Sequence, residues 1–362
     1  MKGLRKYLAP FTPDISGAAA VLYAMGGIIV ISDAGGCTGN VCGFDEPRWF
    51  SSKSAIFSAG LRDIDAILGR DDKFIDKIKI AAARLDAAFV AVIGTPVPAV
   101  IATDYKALCR MTEARIGLPA LAVDTTGMAL YDEGQEKAYR ALFETFATCR
   151  GRGIEDFVCI LGATPLDLPA SDSAAHIKNA LERSNGVKAV VCGEEGSLEF
   201  IGRAGEAQKN IVVSPSGLRI ARELKEKFGT PYETFYPLDE FDARRFREAH
   251  GGKRTLIVHQ QILAEALRRE LENSGGCERI SVASWFRMDG ELMREGDVRL
   301  EEEDDLLRFV EAGSFDTVVG DPLFVRALRG WRGDFAPLPH FAVSGSLHAA
   351  EREEDLWHGL CA

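Results

Sequence analysis

Two cysteines, Cys37 and Cys42, lie five positions apart in a glycine-rich stretch. The stretch follows the apolar run from Ile28 to Ile31, whose β-branched residues predict a buried strand. Thiolates at the end of a parallel strand are suitable ligands for a metal–sulfur cluster, and Gly36 and Gly39 would let a bulky group approach the backbone. The alternative is a tight strand–helix connection filled by small buried residues. Both interpretations stay open on this stretch alone, because a cluster usually has four cysteine ligands and only two are here.

Composition indicates a globular protein. The chain has 362 residues, 46% of them hydrophobic, which is enough for two or three domains with full cores. Its formal net charge of −11 argues against binding nucleic acid or an anionic membrane through bulk charge. A basic protein partner remains compatible with this charge.

The sequence predicts a cytoplasmic protein. The basic N-terminal segment is followed by Pro10, Pro13 and Asp14, which interrupt any signal-like apolar run. No apolar run is long enough to span a bilayer. The remaining cysteines are scattered, which fits free thiols in a reducing compartment better than a disulfide framework. They are Cys109, Cys149, Cys159, Cys192, Cys277 and Cys361.

Strand-like runs alternate with helical periodicity after an N-terminal arm, which predicts an α/β fold with mainly parallel sheets. We expect three tandem Rossmann-like domains around a central cleft, at residues 1–128, 129–238 and 239–362. Two of the expected helices extend from Lys53 to Leu68 and from Tyr105 to Ile116. No G-x-G-x-x-G loop and no P-loop motif occurs, so dinucleotide binding and P-loop ATP hydrolysis are unsupported.

Several other side chains are candidates for chemistry. His259 ends a predicted strand, where such folds bind ligands, and could contact a substrate or cofactor or be an ordinary core histidine. His340 and His348 are further candidates in the C-terminal segment. Glu194 follows another strand and could donate a proton, or could only favour a helix start. The segment from Asp45 to Trp49 is either a docking patch or a helix entry.

Several short segments occur in the order and spacing of the nitrogenase component 1 family, and the chain resembles that family over nearly its whole length. The segments are Gly17-Ala18, Gly36-Cys37, Ala66 to Gly69, Ile154 to Gly162, Gly196 to Glu199, Ala207 to Asn210, Phe228 to Tyr232 and Gly252 to Thr255. The family includes nitrogenase catalytic subunits, their cofactor-assembly scaffolds and nitrogenase-like reductases of tetrapyrrole biosynthesis.

The chain departs from the family pattern at its cysteines. Members with a cluster between subunits usually carry one cysteine before the Gly-Ala segment and another after the second strand. Here the corresponding segments, Leu8 to Phe11 and Gly94 to Val97, contain none, while Cys42 is an addition. Cys37 and Cys42 from each of two subunits would supply four thiolates, the number that a 4Fe-4S iron–sulfur cluster requires.

The resemblance implies two alternative functions. The chain would be the electron-accepting catalytic component of a two-component reductase, fed by a separate ATP-dependent iron–sulfur reductase protein. Alternatively, it would be a non-catalytic scaffold or carrier for metal–sulfur cofactor assembly. The resemblance also implies a homodimer, or a heteromer with a second component-1-like chain. A second metal or a tetrapyrrole cofactor in the central cleft is a further expectation.

Overall fold

The structure, a computed structural model, describes residues 5–148, 155–251, 254–345 and 351–361.

The first sheet contains four short parallel strands. The strands are β1 (Ile28–Ile31), β2 (Ala55–Ser58), β3 (Val90–Ile93) and β4 (Ala120–Val123), in the order β2-β1-β3-β4. The accompanying helices are α1 (Asp14–Leu22), α2 (Gly36–Asn40), α3 (Asp63–Leu68), α4 (Asp71–Ala82), α5 (Pro96–Val100) and α6 (Tyr105–Ile116).

The second sheet has the order β6-β5-β7-β8. Its strands are β5 (Glu155–Leu161), β6 (Lys188–Val191), β7 (Ala207–Val212) and β8 (Tyr232–Thr234). The helices are α7 (Tyr131–Phe146), α8 (Ser173–Asn185), α9 (Ser197–Gly202) and α10 (Leu218–Phe228).

The third sheet has the order β11-β10-β9-β12-β13. Its strands are β9 (Arg254–Val258), β10 (Arg279–Ser284), β11 (Val298–Arg299), β12 (Thr317–Gly320) and β13 (Asp334–Pro337). The helices are α11 (Ala243–His250), α12 (Gln261–Asn273), α13 (Glu303–Gly313), α14 (Phe341–Ser344) and α15 (Glu353–Leu360).

Every strand pair within these sheets is parallel, which confirms the expected α/β class. The domain boundaries at 128 and 238 stay predictions. None of the described helices combines the length and the apolar character needed to cross a membrane.

β1 shows why its sequence is a continuous apolar run. Ile29 and Ile31 pack into a core shared with α1, whereas Ile28 and Val30 pack into a second core with α4 and α6. Because helices cover both faces of a parallel sheet, neither face of the strand carries polar residues.

The helix predicted from Lys53 to Leu68 is wrong in its first half. Ala55–Ser58 forms β2 and pairs with β1 at the edge of the sheet, and only Asp63–Leu68 is helical. The apolar residues recur at helical spacing, but main-chain bonds to β1 and burial of Ile56 outweigh that weak local preference.

Helix α1 occupies the segment expected to be an N-terminal arm. It is entirely buried and crosses α7 at very short range. A Cβ added to Gly17 would lie 1.9 Å from the carbonyl oxygen of Tyr131. A Cβ added to Gly134 would lie 1.8 Å from the carbonyl oxygen of Asp14. Each helix therefore requires glycine where the backbone of the other passes.

We expect Gly17→Ala and Gly134→Ala each to lower the free energy of unfolding by roughly 3 kcal/mol or more, because the helices must separate to admit a methyl group. Denaturant titration measures this loss.

The matched control is Gly359→Ala in α15, where an added Cβ meets nothing within 4 Å. This change should be neutral or stabilising by about 1 kcal/mol, because alanine is the better helix former. Equal stability of all three variants and the parent would contradict the close crossing.

Candidate functional site

The two cysteines lie on one helical segment after β1. Cys37 is in α2, and Cys42 is in the π-helical turn Val41–Asp45 that continues it. The Asp33 carboxylate accepts hydrogen bonds from the backbone N–H and the hydroxyl of Thr38, at 2.8 and 2.9 Å, and so caps the start of α2. The expected loop is therefore helical, and it presents two half-buried thiols.

The electrostatic environment keeps both thiols protonated. Burial raises the pKa of Cys37, and the nearby Asp33 carboxylate raises it further. The pKa of Cys42 is raised by burial, then by Glu46 and Asp33. Thiolates at these positions therefore need a positive counter-charge, which a bound metal ion supplies.

The glycines of this segment leave its outer surface open. The positive φ lies at Gly35 (+122°), whereas Gly36 and Gly39 are in helical turns. A Cβ added to Gly36, Gly39 or Gly43 would meet nothing within 4 Å. Gly39 and Gly43 have no positive φ, and the exposed surface leaves room beside the thiols.

Charged residues after Cys42 anchor the segment on α1. Glu46 is buried and accepts from Arg48 Nε at 2.7 Å, and an Arg48 Nη donates to the Ala20 carbonyl at 2.7 Å. Asp45 accepts from the Ser16 hydroxyl at 2.6 Å. These contacts assign Asp45, Glu46 and Arg48 a structural role.

Exposed apolar side chains surround the carboxyl ends of the first sheet. The residues that carry them follow β2, β3 and β4. Because these strands are parallel, all of these residues lie at the same edge of the sheet. Val100 and Met128 are 85% and 86% exposed. We call this surface the apolar edge; it comprises Ile64, Ile67, Val97, Val100 and Met128. A surface of this kind is typical of a protein–protein contact.

The structure brings His259 and His340 together at the carboxyl ends of β9 and β13. The rings stack with centroids 4.2 Å apart and an interplanar angle of 18°. Both side chains are buried. Nε2 of His259 donates to the Pro339 carbonyl at 3.0 Å. Burial lowers the pKa of His259 to about 4, so this imidazole is neutral at physiological pH. His348 lies outside the described residues.

A buried polar network joins this pair to the second sheet. The Tyr131 hydroxyl lies 3.0 Å from Nε2 of His340 and 3.2 Å from Oδ1 of Asp167. Asp167 also accepts from the hydroxyls of Ser214 at 2.5 Å and Thr164 at 2.8 Å. We call these side chains the central network: Tyr131, Thr164, Asp167, Ser214, His259 and His340. They come from the segments after β4, β5, β7, β9 and β13.

Asp321 positions His340 within this network. Its carboxylate accepts from the His340 backbone N–H at 2.9 Å and from the Ser344 hydroxyl at 2.7 Å. The other carboxylate oxygen accepts from the Leu323 N–H at 2.9 Å. The turn that carries His340 is therefore fixed by one buried carboxylate.

The central network leaves little space for a ligand. Beside it, Pro47, Leu168, Pro339 and Phe341 line a cavity of about 10 Å³, room for one water molecule. A larger cavity of about 780 Å³ opens at the amino ends of the first sheet, where Tyr23, Trp49, Lys53, Phe57 and Glu195 line it. A tetrapyrrole or a second metal cofactor does not fit the centre of this conformation.

A complete cluster site is also absent from the described part of one chain. No group of three or more His, Cys, Asp or Glu side chains there could hold a metal ion. The turn after β3 carries Thr95, whose buried hydroxyl donates to the Ser32 carbonyl at 2.7 Å. Cys37 and Cys42 therefore fit a cluster only if other ligands come from another chain.

Glu194 lies apart from the histidines. Burial raises the pKa of its carboxyl, and Lys178 and Arg48 oppose that rise. The side chain thus lies close to the segment that anchors the cysteines, and no described contact joins it to His259 or His340. Its role as a proton donor stays a prediction.

Sequence reasoning missed Tyr131, Asp167 and Asp321. A signal was present for the two aspartates, since both follow apolar strands, at the edge where parallel α/β sheets place ligand-binding side chains. Tyr131 begins a helix and carried no comparable signal.

Comparisons with known proteins agree with the resemblance seen in the sequence. A family model described as nitrogenase component 1 type oxidoreductase matches residues 14–249, more than half of the chain. The curated nitrogenase iron-molybdenum cofactor biosynthesis protein NifE of Bradyrhizobium diazoefficiens is 23% identical over 195 residues. These cover 51% of this chain and 34% of the relative, so the match spans about a third of that protein's length.

Two solved structures share the fold over nearly the whole chain. The structure described as nitrogenase Cp1 at pH 6.5 has a TM-score of 0.71 at 12% identity, covering 99% of this chain and 90% of that one. Nitrogenase Cp1 at pH 5 has a TM-score of 0.69 at 15% identity, covering 100% of this chain and 88% of that one. The predicted arrangement of tandem Rossmann-like units is confirmed.

Because His259 is buried and neutral, we expect the folded chain to lose stability in acid. Because its folded pKa of about 4 is below the unfolded value near 6.5, its stabilising contribution is complete above pH 6.5 and is lost as the pH falls toward 4. Across this range the free energy of unfolding of the parent should fall by roughly 3 kcal/mol more than that of His259→Gln, a variant that keeps an N–H donor for Pro339. Denaturant titration at several pH values measures the difference.

The control is His358→Gln, at an exposed position of α15. It should leave the pH profile unchanged. A parent and a His259→Gln variant with parallel profiles would show that His259 does not titrate in this way.

Proposed function

The chain belongs to the nitrogenase component 1 type oxidoreductase family, and on that premise we propose that it is the electron-accepting catalytic component of a two-component reductase. An iron–sulfur cluster bound by Cys37 and Cys42 would receive electrons from a separate ATP-dependent iron–sulfur reductase. When bound, the cluster would supply single-electron storage and transfer.

The observation that carries the proposal is the pair of half-buried thiols on an open helical surface. Neither thiol has an environment that favours the thiolate, which argues against a reactive free thiol and leaves a protonated structural thiol as the alternative to a metal ligand. A metal centre provides the missing positive charge. The open surface at Gly36 and Gly39 supports close approach of a bulky cluster to the backbone.

The ligand count supports assembly from two copies of this chain. Two cysteines from each copy, related by a two-fold axis, supply the four thiolates of a 4Fe-4S cluster. The apolar edge supports the same arrangement, because a second copy would bury its exposed side chains in an interface next to the cysteine segment. A heteromer with a related second chain is the competing arrangement.

An assembly role is the second candidate. The curated relative is a cofactor biosynthesis protein by its name. The packed central network also favours this role, since a resident catalytic cofactor would need space that this conformation lacks. As a scaffold or carrier, the chain would hold a metal–sulfur group at its surface cysteines and release it to an acceptor.

Anaerobic iron analysis tests the cluster. We expect Cys37→Ala and Cys42→Ala each to remove most of the iron and the visible absorption band, because either change leaves the shared cluster with two thiolates fewer. Cys277→Ala, which removes another half-buried thiol, should retain both. If Cys42→Ala keeps full iron while Cys37→Ala loses it, a different second subunit supplies the remaining ligands.

The same preparation separates the two functions. Reduction of the cluster only in the presence of ATP and the reductase partner supports the catalytic component. Release of the metal–sulfur group to an acceptor protein without turnover supports the scaffold.

The apolar edge gives an independent prediction. Val100→Asp should shift the chain from dimer to monomer, at least tenfold in dissociation constant, because a charge would be buried in the interface. Val325→Asp is the matched control, since Val325 is also exposed but lies in the third unit. Sedimentation equilibrium measures both; an unchanged dimer in Val100→Asp would place the interface elsewhere.

A further inference from the structure

The Tyr131 hydroxyl stands between a carboxylate and an imidazole in the centre of the molecule. It is 3.2 Å from Oδ1 of Asp167 and 3.0 Å from Nε2 of His340. All three side chains are buried. A hydroxyl has one proton, so it can donate to only one of these neighbours at a time.

Two proton arrangements satisfy these distances. With Asp167 ionised, Tyr131 donates to the carboxylate and accepts from Nε2–H of His340, which leaves Nδ1 bare. With Asp167 protonated, the carboxyl donates to the Tyr131 oxygen and Tyr131 donates to a bare Nε2, so that Nδ1 carries the imidazole proton. The second arrangement holds one proton more than the first.

We propose that Asp167, Tyr131 and His340 form a proton relay in which Asp167 stores a proton and Nδ1 of His340 delivers it. On delivery, the Asp167 proton moves to the Tyr131 oxygen, the Tyr131 proton moves to Nε2, and the Nδ1 proton leaves to a solvent water molecule that acts as the base. The imidazole is neutral before and after the transfer, and the carboxylate ends with the negative charge. Uptake is the same sequence reversed.

The environment of Asp167 suits a proton store. Burial raises its pKa to about 7, while hydrogen bonds from Ser214 and Thr164 hold it from rising further. The charge of Asp132, in the first turn of α7, adds to the rise. Both protonation states are therefore accessible near neutral pH.

The hydroxyls that bond to Asp167 can reorient when the carboxyl gains or loses its proton. Ser214 Oγ lies 3.1 Å from Ser216 Oγ and can donate to it instead of to the carboxylate. Gln135 Nε2 donates to Thr164 Oγ1 at 2.5 Å, so the Thr164 hydroxyl keeps a partner whichever way it points. The network stays hydrogen-bonded in both arrangements.

Burial keeps His340 neutral. Burial lowers the pKa of His340 well below its usual value, and the His259 ring lowers it further, against a small opposing effect of the Leu166 carbonyl. Nδ1 of His340 makes no hydrogen bond of good geometry among the described residues, and the Leu166 carbonyl is its polar neighbour. A neutral ring with one free nitrogen can change tautomer without becoming an imidazolium.

A relay of this kind is useful where reduction consumes protons in a buried centre. That use rests on the proposed function, but the relay itself involves only side chains of this chain. A test that reads the tautomer of His340 therefore fails or succeeds independently of the cluster and of the reductase partner.

The experiment uses the full chain labelled with ¹⁵N at histidine, and long-range ¹H–¹⁵N correlation spectra, which distinguish the two neutral tautomers and the imidazolium. The His340 signals are assigned by their loss in His340→Gln. The variants are Asp167→Asn and Tyr131→Phe. The control is Tyr139→Phe, which removes another buried hydroxyl from the same helix, one bonded to the Cys192 carbonyl and the Gly162 N–H.

We expect His340 in the parent to change from the Nε2–H tautomer above neutral pH to the Nδ1–H tautomer below it, with one midpoint near pH 7. Asp167→Asn should abolish the change between pH 5.5 and 8.5. Tyr131→Phe should abolish it as well, because the hydroxyl that couples the two groups is gone. Tyr139→Phe should retain the parental midpoint.

Three results would overturn the proposal. They are a single His340 tautomer throughout this range in the parent, conversion to imidazolium, or a parental response in Tyr131→Phe. Circular dichroism and thermal unfolding establish that each variant is folded. If Asp167→Asn does not fold, the comparison of Tyr131→Phe with Tyr139→Phe still decides the question.

Discussion

The close crossing of α1 and α7 at Gly17 and Gly134 is the contact on which both candidate sites depend. On one side, α1 anchors the cysteine segment, because the Ser16 hydroxyl donates to Asp45 and Arg48 donates to the Ala20 carbonyl. On the other side, α7 begins at Tyr131, whose carbonyl oxygen lies against Gly17. A larger residue at the crossing would move the cysteine segment and the central network relative to each other.

Buried carboxylates carry out much of the remaining positioning. Asp33 caps the helix that carries Cys37, and Asp321 fixes the turn that carries His340. Asp14, at the start of α1, accepts from the backbone N–H groups of Thr126 and Gly127 at 2.9 and 2.7 Å. Each carboxylate satisfies backbone donors that would otherwise be buried without partners, which makes these turns rigid.

Local pattern predicted the strands well and the sites only in part. The run from Ile28 to Ile31 is continuously apolar because helices cover both faces of this strand. Its sequence alone therefore predicted a buried strand. The helix predicted from Lys53 failed because pairing with β1 decides the state of Ala55–Ser58, and periodicity does not report pairing. The stack of His259 on His340 joins residues about eighty positions apart, and no local pattern encodes such a contact.

The position of the central network also bears on how the cysteine segment and the centre communicate. Pro47, which follows the cysteine segment, lines the same water-sized cavity as Pro339 and Phe341, the two neighbours of His340. Packing around this cavity therefore connects the end of the cysteine segment to the turn that carries His340. Entry of a ligand into the centre requires this packing to separate, because the cavity has room for only one water molecule. On the proposed catalytic function, electrons would arrive at the cysteine segment and protons would be held in the centre, so access of a substrate would be the step that moves the chain.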